Sequence, residues 1–223
     1  MKYFALVIIN LGVALAAPDY VDRLDDATNT LREIMNTPDQ AIPQELLDRA
    51  ACIAVVPGVK KAAFIVGAKY GKGYISCRNK QGPGWTAPAT VRIEGGSFGF
   101  QIGGSETDVV LLVMNQGGVD RLLSSQFTLG ADASVAAGPV GRTAHAATDA
   151  LLTAQILSWS RSRGVFAGVS LQGATLRQDL DDNRELYGKP LTNREIIEGH
   201  IQVPAPARRF ISLLDKYSSR KTG

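Results

Sequence analysis

The sequence is poor in the side chains that most often carry out chemistry. It has two histidines and two cysteines in 223 residues. Neither His145 nor His200 stands with a second ligand at metal spacing, which excludes the short zinc motifs. Asp179-Leu180-Asp181-Asp182-Asn183 opens like a calcium loop. However, Arg184 stands where that loop needs glycine and Pro190 where it needs glutamate. Gly71-Lys72 and Gly188-Lys189 are preceded, five residues before each glycine, by Val66 and Asn183, so neither is a phosphate loop. Gly95-Gly96-Ser97-Phe98-Gly99 matches the hydrolase pattern G-x-S-x-G, and Asp108 and His145 follow in hydrolase order. That motif works only on a sharp strand-to-helix turn. Here Phe98, Phe100 and Ile102 alternate with Gly99, Gln101 and Gly103, which is a continuing strand. The chain is therefore read as non-catalytic, with no cofactor and no metal.

Long apolar runs are also scarce. The one near the start follows Lys2, extends from Tyr3 to Val13, and ends in the small residues Ala14 and Ala16. That is the pattern of a cleaved export signal over residues 1–17, too short for the ~20 residues of a spanning helix. The absence of cysteine near the cut excludes lipoprotein attachment. Residues 18–223 then form one domain of ordinary size, exported and either periplasmic or secreted. In such a compartment the even pair Cys52 and Cys77 can form a disulfide, and both fall in segments that read as strands; two buried thiols are the other reading.

A third absence is of charge of one sign. No acidic residue occurs between Asp48 and Glu94, whereas Arg49, Lys60, Lys61, Lys69, Lys72, Arg78, Lys80 and Arg92 lie there. The whole chain has 24 basic and 21 acidic residues, so the remainder is net acidic and the molecule is electrically lopsided. A basic stretch attracts anionic surfaces, and an exported protein meets phospholipid more often than nucleic acid. Trp85, in the Gly/Pro loop Gln81–Trp85, suits a membrane interface. The alternative is a solvated basic face with Trp85 folded down on the sheet.

What is present is enough for a core: 45% hydrophobic residues and 23 glycines, which favour turns and closely packed strands. Residues 19–36 repeat apolar positions at helical spacing, with acidic residues crowding the first turns. A short helix over Gln44–Ala50 follows. Cys52–Val56 reads as a strand stopped by Pro57-Gly58. Ala62–Tyr70 and Tyr74–Arg78 read as a hairpin turning at Gly71-Lys72-Gly73. A long strand from Ala89 to Gly104 is expected to pair with Thr107–Met114. Gln116–Ser124 reads as a helix, Leu129–Gly141 as a strand, and Gln155–Arg161 with Gly164–Leu171 as another hairpin. Helices close the chain over Gln178–Tyr187, over Asn193–Glu198 behind a Thr192/Glu195 capping box, and over Ala205–Tyr217. The last is basic and amphipathic, suited to an anionic membrane or to docking on its own core. The fold expected is α+β: a curved, barrel-like antiparallel sheet with N- and C-terminal helices packed against it.

Cys52–Gly73, with Val55-Val56-Pro57-Gly58-Val59-Lys60-Lys61 at its centre, resembles the opening of the SYLF domain. Further blocks agree: Trp85-Thr86-Ala87-Pro88, Gly95–Gly103, Asp108–Asn115, Leu186–Pro190 and Arg194–Ile197. The resemblance covers about Leu31 to Gly199 and looks like the exported bacterial branch of the family. It implies a single lipid-binding module over residues 18–223, since eukaryotic members bind phosphoinositides and, in some, actin. Bacteria generally lack phosphoinositides, so another anionic phospholipid is expected. An exported protein would not meet actin, and the acidic first helix would be repelled by anionic lipid; neither role is carried over. The expected headgroup contacts are Lys60, Lys61, Lys69, Lys72, Arg78 and Lys80, with Trp85 inserting. The alternative function is a cell-envelope protein-interaction module.

Overall fold

The computed structural model describes residues 19–37, 41–64, 66–98, 103–139, 153–162, 165–167, 171 and 173–218. The expected export signal and His145 lie outside them. Among the described residues there are six α-helices: α1 Asp19–Asn36, α2 Gln44–Arg49, α3 Gln116–Leu122, α4 Leu180–Tyr187, α5 Asn193–Glu198 and α6 Arg208–Tyr217. A 3-10 turn at Ala205–Ala207 leads into α6. The strands are β1 Cys52–Phe64, β2 Val66–Cys77, β3 Ala89–Phe98, β4 Gly103–Val113, β5 Gln126–Thr128, β6 Val135–Ala137, β7 Ile156–Ser162, β8 Val165–Ala167 and β9 Thr175–Gln178. They form one sheet in the order β5-β9-β3-β2-β1-β4-β7-β6, with β8 also on β7. The sheet curls into a half-barrel flanked by the N- and C-terminal helices, the expected α+β architecture. Every pairing is antiparallel except β6 with β7, which is parallel.

The sheet is covered on both faces, which explains the unbroken apolar run at Cys52–Val56. Side chains alternate across a strand, so Ile53 and Val55 enter one core with Leu31 of α1, Leu47 of α2 and Phe210 of α6. Cys52, Ala54 and Val56 enter the other with Leu122 of α3 and Ile196 of α5. The final helix thus docks on the core rather than offering its apolar face outward; Phe210, Ile211, Leu213 and Leu214 are all buried.

Four expectations are corrected. The first strand does not stop at Pro57-Gly58. It passes through them as a bulge: the register slips between Val55 and Lys60 against β2 and between Val56 and Val59 against β4. Gly58 supplies the positive φ of 57°, and its N–H donates to Asp108 Oδ1 at 2.9 Å instead of to the ladder. Gly71-Lys72-Gly73 is not a turn but lies within β2, facing that bulge. A Cβ on Gly73 would come within 2.2 Å of the Val55 carbonyl oxygen, so glycine here admits a neighbouring backbone. The hairpin therefore turns between Phe64 and Val66, and one long arm replaces two short strands. β3 and β4 do not pair with each other; they flank the β1–β2 hairpin on opposite sides. Finally, among the described residues of the Leu129–Gly141 run only Val135–Ala137 is a strand. Gly130, at φ 87°, opens a turn in which its N–H donates to the Ala133 carbonyl at 2.7 Å.

The closing helices fall where expected. Thr192 and Glu195 form the capping box at the start of α5. Thr192→Ala should cost about 1 kcal/mol, read as a lower denaturation midpoint with an unchanged slope.

Candidate interaction surface

Above the bulge the hairpin continues as an arm carrying Lys60, Lys61, Lys69 and Tyr70. Lys61 stands directly opposite Lys69, and Lys60 opposite Tyr70. Paired residues on antiparallel strands share a face, so the arm has two unlike sides. Lys60 and Tyr70 face α1 across a cleft of about 630 Å³ whose walls include both residues. Tyr70 is 47% exposed, one of two large hydrophobic side chains so exposed among the described residues. Six carboxylates line this cleft (Asp19, Asp22, Asp26, Glu33, Glu106 and Asp108) against four cations (Arg23, Lys60, Lys72 and Arg161), so this side is net acidic. Asp108 also ion-pairs with Arg161 Nε at 3.3 Å, and Arg161 reaches Glu33 of α1. Burial pushes the Asp108 carboxyl above its usual range, against the Gly58 N–H bond, which favours the charged form; Glu106 and Asp26 add to the rise.

Of the other expected contacts, Lys72, Arg78 and Trp85 are drawn inward and Lys80 stands on an exposed edge. Lys72 lies at 2.9 Å from Asp179 Oδ2 and 2.7 Å from Asp182 Oδ1, beneath α1 and α4. Burial alone would lower its pKa, but the bonds to Asp182 and Asp179 outweigh burial and hold the ammonium above its ordinary value. Asp182 also takes Arg23 of α1. The segment that opens like a calcium loop thus serves as a clamp: Asp179 caps α4, Asp182 gathers two cations, and Asn183 accepts from the Thr90 N–H at 2.8 Å. Lys80 pairs with Glu198 at 3.4 Å on an exposed edge, a contact of little energetic weight.

Arg78 and Trp85 require outright correction as membrane contacts. Arg78 is 8% exposed and Trp85 5%. The guanidinium stacks 4.0 Å from the indole ring centre and donates to the Leu47 and Ala50 carbonyls and to Ser218. The indole N–H donates to the Ser218 carbonyl at 3.0 Å. Together they clasp the end of α6 against α2. Nearby, burial raises the Asp215 carboxyl, with Arg78 and the backbone N–H of Trp85 opposing that rise. Cys52 and Cys77, opposite each other on β1 and β2, are joined in a disulfide. Ser97 pairs with Gly67 inside β3, a strand rather than a strand-to-helix turn. Among the described residues, no group of three or more His, Cys, Asp or Glu is placed to hold a metal ion.

A curled sheet clamped by helices and ion pairs, with a charged arm beyond its core, defines an α+β interaction domain. Residues 94–217 match the family described as Ysc84, Las17-binding protein actin regulator. The chain belongs to this Ysc84 (SYLF) family. It is 35% identical over 182 residues to Protein YSC84 of Saccharomyces cerevisiae, covering 79% of this chain and 38% of that one. LAS seventeen-binding protein 3 of the same yeast is 37% identical over 182 residues, with 79% and 39% covered. Human SH3 domain-containing YSC84-like protein 1 is 32% identical over 186 residues, with 83% and 54% covered. The chain thus spans well under two thirds of these relatives, one of which is named for binding.

Proposed function

We propose that this protein is a non-catalytic module that binds anionic phospholipid at a membrane surface through the β1–β2 arm. The observation that carries this reading is the gathering of Lys60, Lys61 and Lys69 on one arm beyond the packed core. Each basic residue near an anionic surface contributes about 1 kcal/mol, reduced by salt. The export expected from residues 1–17 is supported by the Cys52–Cys77 disulfide, since such bonds persist in oxidising compartments. A cell-envelope location, periplasmic or secreted, belongs to the same proposal.

Co-sedimentation with vesicles tests it. The protein should pellet with vesicles containing phosphatidylglycerol, release as salt rises, and ignore phosphatidylcholine vesicles. Lys60→Gln/Lys61→Gln/Lys69→Gln should abolish pelleting without changing the melting temperature by more than a few degrees. Failure of the wild type to pellet with any anionic vesicle would sink the reading. A second reading, a protein-interaction module of the cell envelope, is favoured by the description of the family as Las17-binding. Its binding would be indifferent to vesicle composition and would survive the triple substitution.

A further inference from the structure

We propose that the end of the β1–β2 arm farthest from the bulge, where the pairing places Phe64, Val66 and Phe98 together, is the part of the molecule that enters a lipid bilayer; this rests on the phospholipid reading above. Phe64 pairs with Val66 across the hairpin, and Val66 with Phe98 at the end of β3. β4 begins at the same level, its Gly103 opposite Ala63. Four adjacent strands therefore end together, with three apolar residues in neighbouring register positions. The next two rows back are Ser97-Gly67-Ala63-Gly103 and Gly96-Ala68-Ala62-Gly104. They hold small residues and no charge. Gly96, Ala68 and Gly104 are exposed, so among the described residues no element covers those three positions.

The spacing suits a membrane interface. Lys61 and Lys69 are the first charged residues behind this end, three positions back, or about 10 Å at about 3.3 Å per residue. The first carboxylates, Glu94 and Glu106, lie one position further. A segment lying in the interface buries its apolar part about 5–10 Å into the headgroup and acyl boundary. An uncharged end about 10 Å long fills that depth and stops where charge begins. A protein partner would need matching side chains, whereas a bilayer asks only for apolarity and depth, which these rows supply. The pairing also limits how far the end can go, because backbone groups in hydrocarbon must be hydrogen-bonded. β1 and β2 have a strand on each side almost to their tips. Among the described residues, the outer edges of β3 and β4 have no strand partner on the tip side of Glu94 and Asp108. Those edges need water or headgroups, so the end enters the interface and not the bilayer core.

Phe98→Trp provides the test, because both native tryptophans, Trp85 and Trp159, are buried. On phosphatidylglycerol-containing vesicles the variant's emission should shift to the blue, and lipids brominated in the upper acyl chain should quench it, while wild-type emission stays unchanged. Phe64→Thr/Phe98→Thr, which keeps strand-favouring residues, should weaken vesicle partitioning about tenfold or more at low salt. Melting curves report whether that pair is folded, and the tryptophan variant decides the question if it is not. Emission of Phe98→Trp unchanged by vesicles with which the protein pellets would overturn the insertion and leave the lipid reading intact. So would a threonine pair that binds vesicles like wild type but breaks up a wild-type dimer, since the end would then meet a second copy of the chain. Absence of wild-type pelleting would overturn both.

Discussion

Arg78→Ala is expected to destabilise the domain by about 3–5 kcal/mol, the usual consequence of breaking a buried charged hydrogen-bond network. For a domain of this size that is a fall of roughly 10 °C in melting temperature. The guanidinium connects three separate pieces of chain. It takes the Leu47 carbonyl at 3.0 Å and the Ala50 carbonyl at 3.3 Å at the end of α2, reaches Ser218 at the end of α6, and stacks on Trp85. Truncation leaves buried carbonyls short of a donor and opens a void beside the indole. Arg78→Lys should recover little, because one ammonium cannot reproduce the planar fork that serves carbonyls on two helices. Below the melt, vesicle partitioning of Arg78→Ala should stay within about twofold of wild type, since a buried cation adds no surface charge. A melting temperature within 2–3 °C of wild type would show that the clasp contributes little. A large loss of lipid binding by the folded variant would return Arg78 to the membrane face.

The reason Arg78 and Trp85 read differently in the sequence is instructive. A residue's charge is visible in one dimension, but its partners are not. The stretch from Arg49 to Arg92 has no acid within it, yet sheet and helix packing bring acids from elsewhere. Asp179 and Asp182 arrive more than a hundred residues later to cover Lys72. Glu198 reaches Lys80, and Ser218 closes over Arg78 and Trp85. Arg49 and Lys80 stay exposed beside acidic partners, and the lysines gathered on one element are those of the arm that projects beyond the bulge. That projection depends on the bulge at Gly58 and on the close backbone approach at Gly73. Both glycines were visible in the sequence, but Pro57-Gly58 and Gly71-Gly73 are equally good turn signals. Only the pairing partners distinguish a bulge from a strand end.

Where local physics decides, the sequence was legible. The stripe on α1 and the capping box at Thr192 each fix their element through neighbours a few residues away. Strand order is a long-range property. The expectation that β3 returns directly on β4 followed from their adjacency in the chain. The structure instead places the β1–β2 hairpin between them, because that hairpin already fills the centre of the sheet and each of its strands has one free edge. Tyr70 was missed for a related reason: only long-range packing shows that it stands on the arm, 47% exposed and lining the α1 cleft.

Removal of the Cys52–Cys77 bond is the other large effect expected. The bridge closes a loop across a sequence separation of 25, for which chain entropy predicts about 3–4 kcal/mol of stabilisation. Both cysteines lie in the core shared with α3 and α5, so Cys52→Ala/Cys77→Ala also tests how that side of the sheet is held. Alanine is preferred to serine, because a buried hydroxyl without a partner would add a cost of its own. The double variant should melt roughly 10 °C below the oxidised protein, and wild type treated with a thiol reductant should approach it. Because the cysteines pair below the bulge and the lysines stand above it, vesicle binding by the folded variant should match wild type. An unchanged melt would show that the register of β1 and β2 is held by packing alone, and the bond would then lend no weight to an exported, oxidising home. A fall of the expected size would make the protein's stability depend on its compartment: the arm would be equally charged everywhere but held on a firm base only where the two cysteines stay joined.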